Sequence, residues 1–108
     1  MNIQQLEYIV ALDKYRHFLK AAEACYITQA TLSGMIKKLE EELNVTLFDR
    51  SKHPVEPTDV GKKILAQAKI ALRETNRIKE IVIEDTGEVK GDIKIGIIPS
   101  LALTSFYI

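Results

Sequence analysis

The chain has 108 residues, enough for about one domain, and its 46% apolar and 28% charged content is that of an ordinary globular protein. Its 15 cations balance 15 anions, so the total charge points to no partner. The single cysteine, Cys25, excludes an intrachain disulfide scaffold and makes a reducing cytoplasm the expected setting. The opening MNIQQLEYIVALDKYR does not read as a secretory signal, and no apolar run approaches the roughly 18 residues that span a bilayer, so no membrane partner is expected. The distribution of charge says more than its sum. Between residues 14 and 38, Lys14, Arg16, Lys20, Lys37 and Lys38 face Glu23 alone, whereas Glu84, Asp85, Glu88 and Asp92 outnumber Lys90 further on. A local basic patch is what phosphate contacts need, and it can sit in a neutral chain.

In chain order, Asn2 to Tyr15 predicts a first helix, with Asn2 as N-cap and Ile3, Leu6, Ile9, Val10 and Asp13 on one face. Arg16–His17 is a break. Phe18 to Ala24 predicts a short helix whose small-residue face, Phe18, Ala21, Ala22 and Cys25, lets another helix cross closely. After a tight connection at Tyr26 and Ile27, Thr28 can cap a helix running to Leu43. Leu32, Ile36, Leu39 and Leu43 make its apolar stripe; Gln29, Thr31, Ser33, Gly34, Lys37 and Lys38 make the opposite face, with Met35 its one bulky apolar residue. Glu40, Glu41 and Glu42 read as a solvated acidic face. Two short helices joined by a few residues, the second polar on its outside, form the helix-turn-helix pattern, which alone is weak because many helical proteins contain such a corner.

The residues after Leu43 make the pattern more specific. Asn44 can end the helix in the left-handed conformation. Val45 to Phe48 and Val55 to Pro57 predict two short strands around the basic turn Asp49 to Pro54, a small wing kept brief by Pro54 and Pro57. That wing carries Arg50 and Lys52, and Arg50 suits a narrow groove or the adjacent phosphates. Thr58 then caps a helix from Asp59 to about Asp85, roughly 40 Å at 1.5 Å per residue. Its stripe of Ile64, Leu65, Ala68, Ala71, Leu72, Ile78, Ile81 and Val82 either packs against a second copy, with Leu65, Ala68, Leu72 and Ile78 as dimerisation residues, or folds back on the first domain. Thr86 to Gly91 is a polar, glycine-flanked linker, and Asp92 to Ile98 alternates as a strand does. A lone strand with an apolar tail cannot bury itself, so the chain reads as the front of a longer protein.

The resulting expectation is a mainly α fold: a winged helix-turn-helix DNA-binding domain over 1–57, a long linker and dimerisation helix over 58–86, a hinge at 87–91, and over 92–108 the first β-strand of a truncated α/β effector domain. No Ser–His–Asp or paired-carboxylate arrangement suggests an enzyme. Cys25, His17 and His53 are too few and too scattered for a structural zinc, and no cofactor is expected. Cys25, on an alanine face, reads as a structural thiol rather than a sensor; His17 reads as a helix-boundary residue and His53 as a wing-tip residue.

Several strings, in this order, resemble the LysR-type transcriptional regulators: LEYIVALDKYRHFLKAAEACYITQATLSGMIKKLEEELNVTLFDRS, EPTDVGKKIL and GDIKIGIIPS. Within them YRHF, the Cys in AAEAC, the LSG containing Gly34, and IGIIPS look most like the OxyR-type peroxide sensors. Gly34 stands where most of the family has a basic residue, and Ala30 departs from the family's Pro. The resemblance implies a dimer on pseudo-palindromic promoter DNA, joined through the long helix, with tetramers in full-length proteins and RNA polymerase as a further partner. It implies DNA contacts from Thr28, Gln29, Ala30, Thr31, Ser33, Gly34, Lys37, Lys38, Arg50 and Lys52, with Gln29, Thr31 and Ser33 toward base edges and phosphates, Thr28 at a phosphate and Arg50 at the minor groove. It further implies a transcription activator in an oxidative-stress response, whose two sensing cysteines belong to the effector domain and are not in this chain. The alternatives are a regulator responding to a small metabolite and a winged-helix module that docks a protein.

Overall fold

The computed structural model describes residues 1–86. The expected hinge at 87–91 and strand over 92–108 lie outside the described residues. Chain contacts divide the molecule into a unit of Met1–Arg73, which holds the core, and a second beginning at Glu74.

Helix α1 (Ile3–Tyr15) opens with a reciprocal cap: Asn2 Oδ1 accepts from the Gln5 N–H at 2.8 Å, and Gln5 Oε1 accepts from the Asn2 N–H at 3.1 Å. Its buried face is Gln5, Leu6, Tyr8, Ile9 and Leu12. The expected face is therefore rotated: Ile3 is exposed, and Asp13 bonds to Arg16 and Lys69 instead of facing the core. Leu12, which completes the true stripe from Leu6 and Ile9, decides the register. The chain leaves α1 through Arg16 at φ 53°, a left-handed residue whose guanidinium Nε and Nη2 donate back to Asp13 O and Oδ1 at 2.7 and 3.0 Å. His17 then caps α2 (Phe18–Ala24), its Nδ1 accepting from the Lys20 N–H at 3.3 Å, as a helix-boundary residue should. Ala21 and Ala22 are buried at 0% and 1% exposure, the close crossing that the small face predicts.

Tyr26 turns the chain at φ 60°, and Thr28 caps α3 (Gln29–Leu43) by accepting from the Thr31 N–H at 3.1 Å. Leu32, Ile36 and Leu39 are at most 1% exposed, and Leu43 packs half-buried at the edge. Asn44, at φ 56°, ends α3 as expected, with its N–H and that of Val45 returning to carbonyls of the last turn. Three side chains of this size, each contributing about 2 kcal/mol by burial, outweigh the surface ion pairs, whose median worth is roughly 0–1 kcal/mol. The angle between α1, α2 and α3 is therefore set by the shared core.

The wing is smaller than the sequence suggests. Strands β1 (Phe48–Asp49) and β2 (Glu56–Pro57) pair antiparallel, Phe48 opposite Pro57 and Asp49 opposite Glu56. Val45 to Leu47 is not paired strand, because Val45 still serves the end of α3 and Leu47 is committed to the next helix: its carbonyl accepts the Thr58 N–H at 3.0 Å. The other arm is tied down by the Val55 N–H, which donates to Arg16 O at 3.1 Å. Helix α4 (Asp59–Thr86) starts as predicted, with Thr58 Oγ1 accepting from the Gly61 N–H at 3.0 Å. Its stripe divides. Leu65 and Ala68, each 3% exposed, belong to the chain's own core, with Leu72 half-buried beside it. Ile78, Ile81 and Val82 are 63%, 50% and 52% exposed. Leu65 and Ala68 are thus corrected from dimerisation residues to core residues.

Candidate nucleic-acid interface

With Leu32, Ile36 and Leu39 turned inward, the 100° step of a helix puts Ala30, Gly34 and Glu41 on the opposite crest of α3. All three are exposed. Ala30 and Gly34 carry almost no side chain, so the first half of the crest is low, and an extra Cβ on Gly34 would meet nothing within 4 Å. One side of the crest carries Gln29, Ser33 and Lys37, spaced four apart; the other carries Thr31 and Lys38. Gln29, Thr31, Lys37 and Lys38 are exposed, whereas Ser33 is half-buried. A low apex between amide, hydroxyl and ammonium groups can approach a polyanion closely while its cations reach outward.

The expected residues do not all stand free. Thr28 Oγ1, besides capping the helix, donates to Thr31 Oγ1 at 2.9 Å, so the two hydroxyls are joined at the helix start. Arg50 departs furthest from expectation. Instead of extending from the wing, it folds back on α3: Nη1 donates to Ser33 Oγ at 2.7 Å, Nη2 lies 3.5 Å from Glu40 Oε1, and the guanidinium sits 4.9 Å from the Phe18 ring centre. Nη2 is buried and makes no hydrogen bond, so its link to Glu40 is one of charge alone. Lys52 and His53 remain exposed in the wing turn, which is the wing-tip position expected of His53. Beside Arg50, a groove of about 550 Å³ opens between α2, the start of α3 and the wing, with Arg16, His17, Phe18, Lys20, Gln29 and His53 along it.

Glu40 is the residue that sequence reasoning misses. It stands in a run with Glu41 and Glu42, which are indeed exposed, yet its own side chain is only 13% exposed. Its Oε2 accepts the N–H groups of Leu47 and Phe48 at 2.7 and 3.3 Å, joining α3 to the root of the wing. Its place seven residues after Ser33, two turns along the same flank, is the available signal. Tyr26 is missed too: it is 95% exposed at a left-handed backbone position that a bulky residue rarely takes. Cys25 caps the end of α2 half-buried; burial first, and the Glu7 carboxylate second, push its thiol above the ordinary value, which disfavours the reactive thiolate.

Residues 3–62 match the model of the bacterial regulatory helix-turn-helix protein, lysR family. The chain belongs to that family. Regulators of the lysR family are not an enzyme class. Among curated relatives, the chain is 44% identical over 101 residues to the hydrogen peroxide-inducible genes activator of Haemophilus influenzae, a match covering 94% of this chain and 34% of that protein. The chain spans about a third of the length of the curated relatives it matches. Among solved lysR-family structures, full-length OxyR C199D from Pseudomonas aeruginosa is 46% identical, with a TM-score of 0.73 over 76% of this chain and 28% of that one. A BenM DBD in complex with benA site 1 DNA superposes with a TM-score of 0.77 at 31% identity, covering 80% of this chain and 97% of the other. The winged helix-turn-helix with a long following helix is thus the architecture of the lysR family. No helix among the described residues is long and apolar enough to cross a membrane.

Proposed function

We propose that this chain is the DNA-binding part of a cytoplasmic, OxyR-like regulator that switches transcription in response to peroxide, through a sensor domain outside the chain. The observation that carries the DNA-binding reading is the outer face of α3: a low Ala30–Gly34 crest, exposed Gln29 and Thr31, and Lys37 and Lys38 one on each side. Its support from outside is the likeness, over 97% of that chain, to a BenM DBD in complex with DNA. The 44% identity to a hydrogen peroxide-inducible genes activator supports the peroxide reading over a metabolite-responsive regulator. In this reading α3 lies in the major groove with Gln29, Thr31 and Ser33 toward the bases, Thr28, Lys37, Lys38 and Lys52 at phosphates, and the wing alongside. A second copy covers the exposed Ile78, Ile81 and Val82 of α4, with Leu72 contributing, so that two recognition helices meet a two-fold site. The whole protein assembles further into tetramers and engages RNA polymerase.

An anisotropy titration against a promoter library tests this. The expected result is a preferred two-fold site bound by two chains, with affinity falling steeply as salt rises. Lys37→Ala removes one phosphate contact from each of the two bound chains, so it should lower the log–log salt slope by about 2 without changing the preferred sequence. Equal affinity for every duplex would favour the protein-docking module instead, and binding by single chains would remove the dimer.

A further inference from the structure

Ser33 and Glu40 lie two turns apart on the flank of α3 that faces the wing, and Arg50 bridges them. The relay begins at the backbone. The Leu47 and Phe48 N–H groups hold Glu40 Oε2 at 2.7 and 3.3 Å, and Glu40 Oε1 lies 3.5 Å from Arg50 Nη2. Arg50 Nη1 then donates to Ser33 Oγ at 2.7 Å, with the Phe18 ring 4.9 Å from the guanidinium. Arg50 is 34% exposed and Glu40 13%, so their attraction is less screened than that of a surface pair.

A serine hydroxyl has one hydrogen to give and two lone pairs to receive with. Here a permanently charged donor occupies one lone pair. Its charge repels any second N–H group that approaches the oxygen and polarises the O–H bond, making the hydroxyl a stronger donor. That hydrogen has no acceptor among the described residues: the Ser33 hydroxyl enters no bond other than the one from Arg50.

We propose that Arg50, held by Glu40, fixes Ser33 as a hydrogen-bond donor toward DNA. The contacted group is then an acceptor, either a base-edge atom such as guanine O6 or N7 or thymine O4, or a phosphate oxygen, in preference to the amino group of cytosine or adenine. Glu40 is accordingly a positioning residue that acts through Arg50. This rests on the DNA-binding reading of α3.

The test is a double-mutant cycle on the intact protein, folded at the assay temperature, with Ser33→Ala, Glu40→Gln and the pair. The Gln side chain can still accept both backbone N–H groups, so the wing root stays in place while the charge that holds Arg50 is lost. Each single variant should lose about tenfold in affinity per half-site, the size of one base contact, and so about a hundredfold on the two-fold site that two chains fill. The pair should lose no more than either single variant. A duplex series carrying 7-deazaguanine, base changes or single methylphosphonates locates the acceptor: the difference between wild type and Ser33→Ala vanishes on the duplex that lacks it. Loss at a base also flattens the sequence preference there, whereas loss at a phosphate leaves the preference intact. If Glu40→Gln costs as much in the Ser33→Ala background as alone, Glu40 acts only by supporting the wing, and the proposal is overturned; unchanged binding by Glu40→Gln overturns it as well. Should Glu40→Gln fail to fold, Arg50→Met removes the donor while leaving Glu40 on Leu47 and Phe48, and the same criteria apply. A wild-type protein with no preferred site overturns the DNA-binding reading itself.

Discussion

Two glycines, each in the first half of a helix, stand in opposite surroundings. Gly61, in the first turns of α4, is buried, and a Cβ there would lie 2.1 Å from Leu47 O and 3.0 Å from Thr58 Oγ1. Gly34, on the crest of α3, is exposed, and a Cβ there would touch nothing. Both cost helix propensity, about 0.5–1 kcal/mol relative to alanine. At Gly61 the chain's own packing accounts for that cost: the wing root and α4 approach too closely for any side chain. At Gly34 nothing inside the described chain does so. The comparison separates a residue needed for folding from one whose reason lies outside the fold.

The largest expected effect is at Gly61. Gly61→Ala must move either α4 or the Leu47 carbonyl, which also accepts the Thr58 N–H. Overpacking against backbone should cost about 3 kcal/mol, enough to lower the melting temperature by roughly 10 °C or more in a domain of this size. A melting curve within about 2 °C of wild type would mean that the two elements separate easily and that the contrast between the glycines is false.

The next effect has the opposite sign. Gly34→Ala should stabilise the chain by about 0.5–1 kcal/mol, raising the melting temperature by a few degrees, because it removes a helix-interior glycine without a clash. DNA affinity should fall in the same variant, since a methyl group now stands on the low crest. Stability gained with affinity unchanged would place the point of closest approach elsewhere on α3.

Much of the fold is legible in the sequence, for local reasons. The caps at Asn2, Thr28 and Thr58, the left-handed Asn44 and the stripe of α3 are short-range signals, and each falls where its residues demand. The wing is legible as a turn between two short runs, but its pairing is not, because the obligations of Val45 and Leu47 to α3 and α4 arise only in three dimensions. The buried face of α1 is not legible either: periodicity admits a register with Ile3 and Val10 as readily as one with Leu12, and only the helices packed against it choose. The stripe of α4 cannot say where the core ends, since Leu65 and Ile78 look alike in sequence and differ only in what lies beside them. Glu40 is the sharpest case: beside Glu41 and Glu42 it is chemically anonymous, and its partners are backbone groups of residues seven and eight positions later.

The smallest effect concerns the wing turn, where Asp49 Oδ1 accepts the Ser51 hydroxyl at 2.5 Å and the Ser51 N–H at 3.0 Å. The hydroxyl bond first, and the N–H bond second, hold the Asp49 carboxyl below its usual 3.8. A carboxylate lowered on folding contributes order that is fully present above its unfolded value and lost as pH falls through the folded one. Acidification from about pH 5 should therefore leave the turn intact until below 3.8 and then release Ser51, a transition readable in the Ser51 amide signal and absent in Asp49→Asn. A midpoint at or above 3.8 would mean that the turn does not hold its carboxylate. The contact between Gly61 and Leu47 contains no titrating atom, so the protonation of Asp49 that loosens the turn does not act on that contact directly.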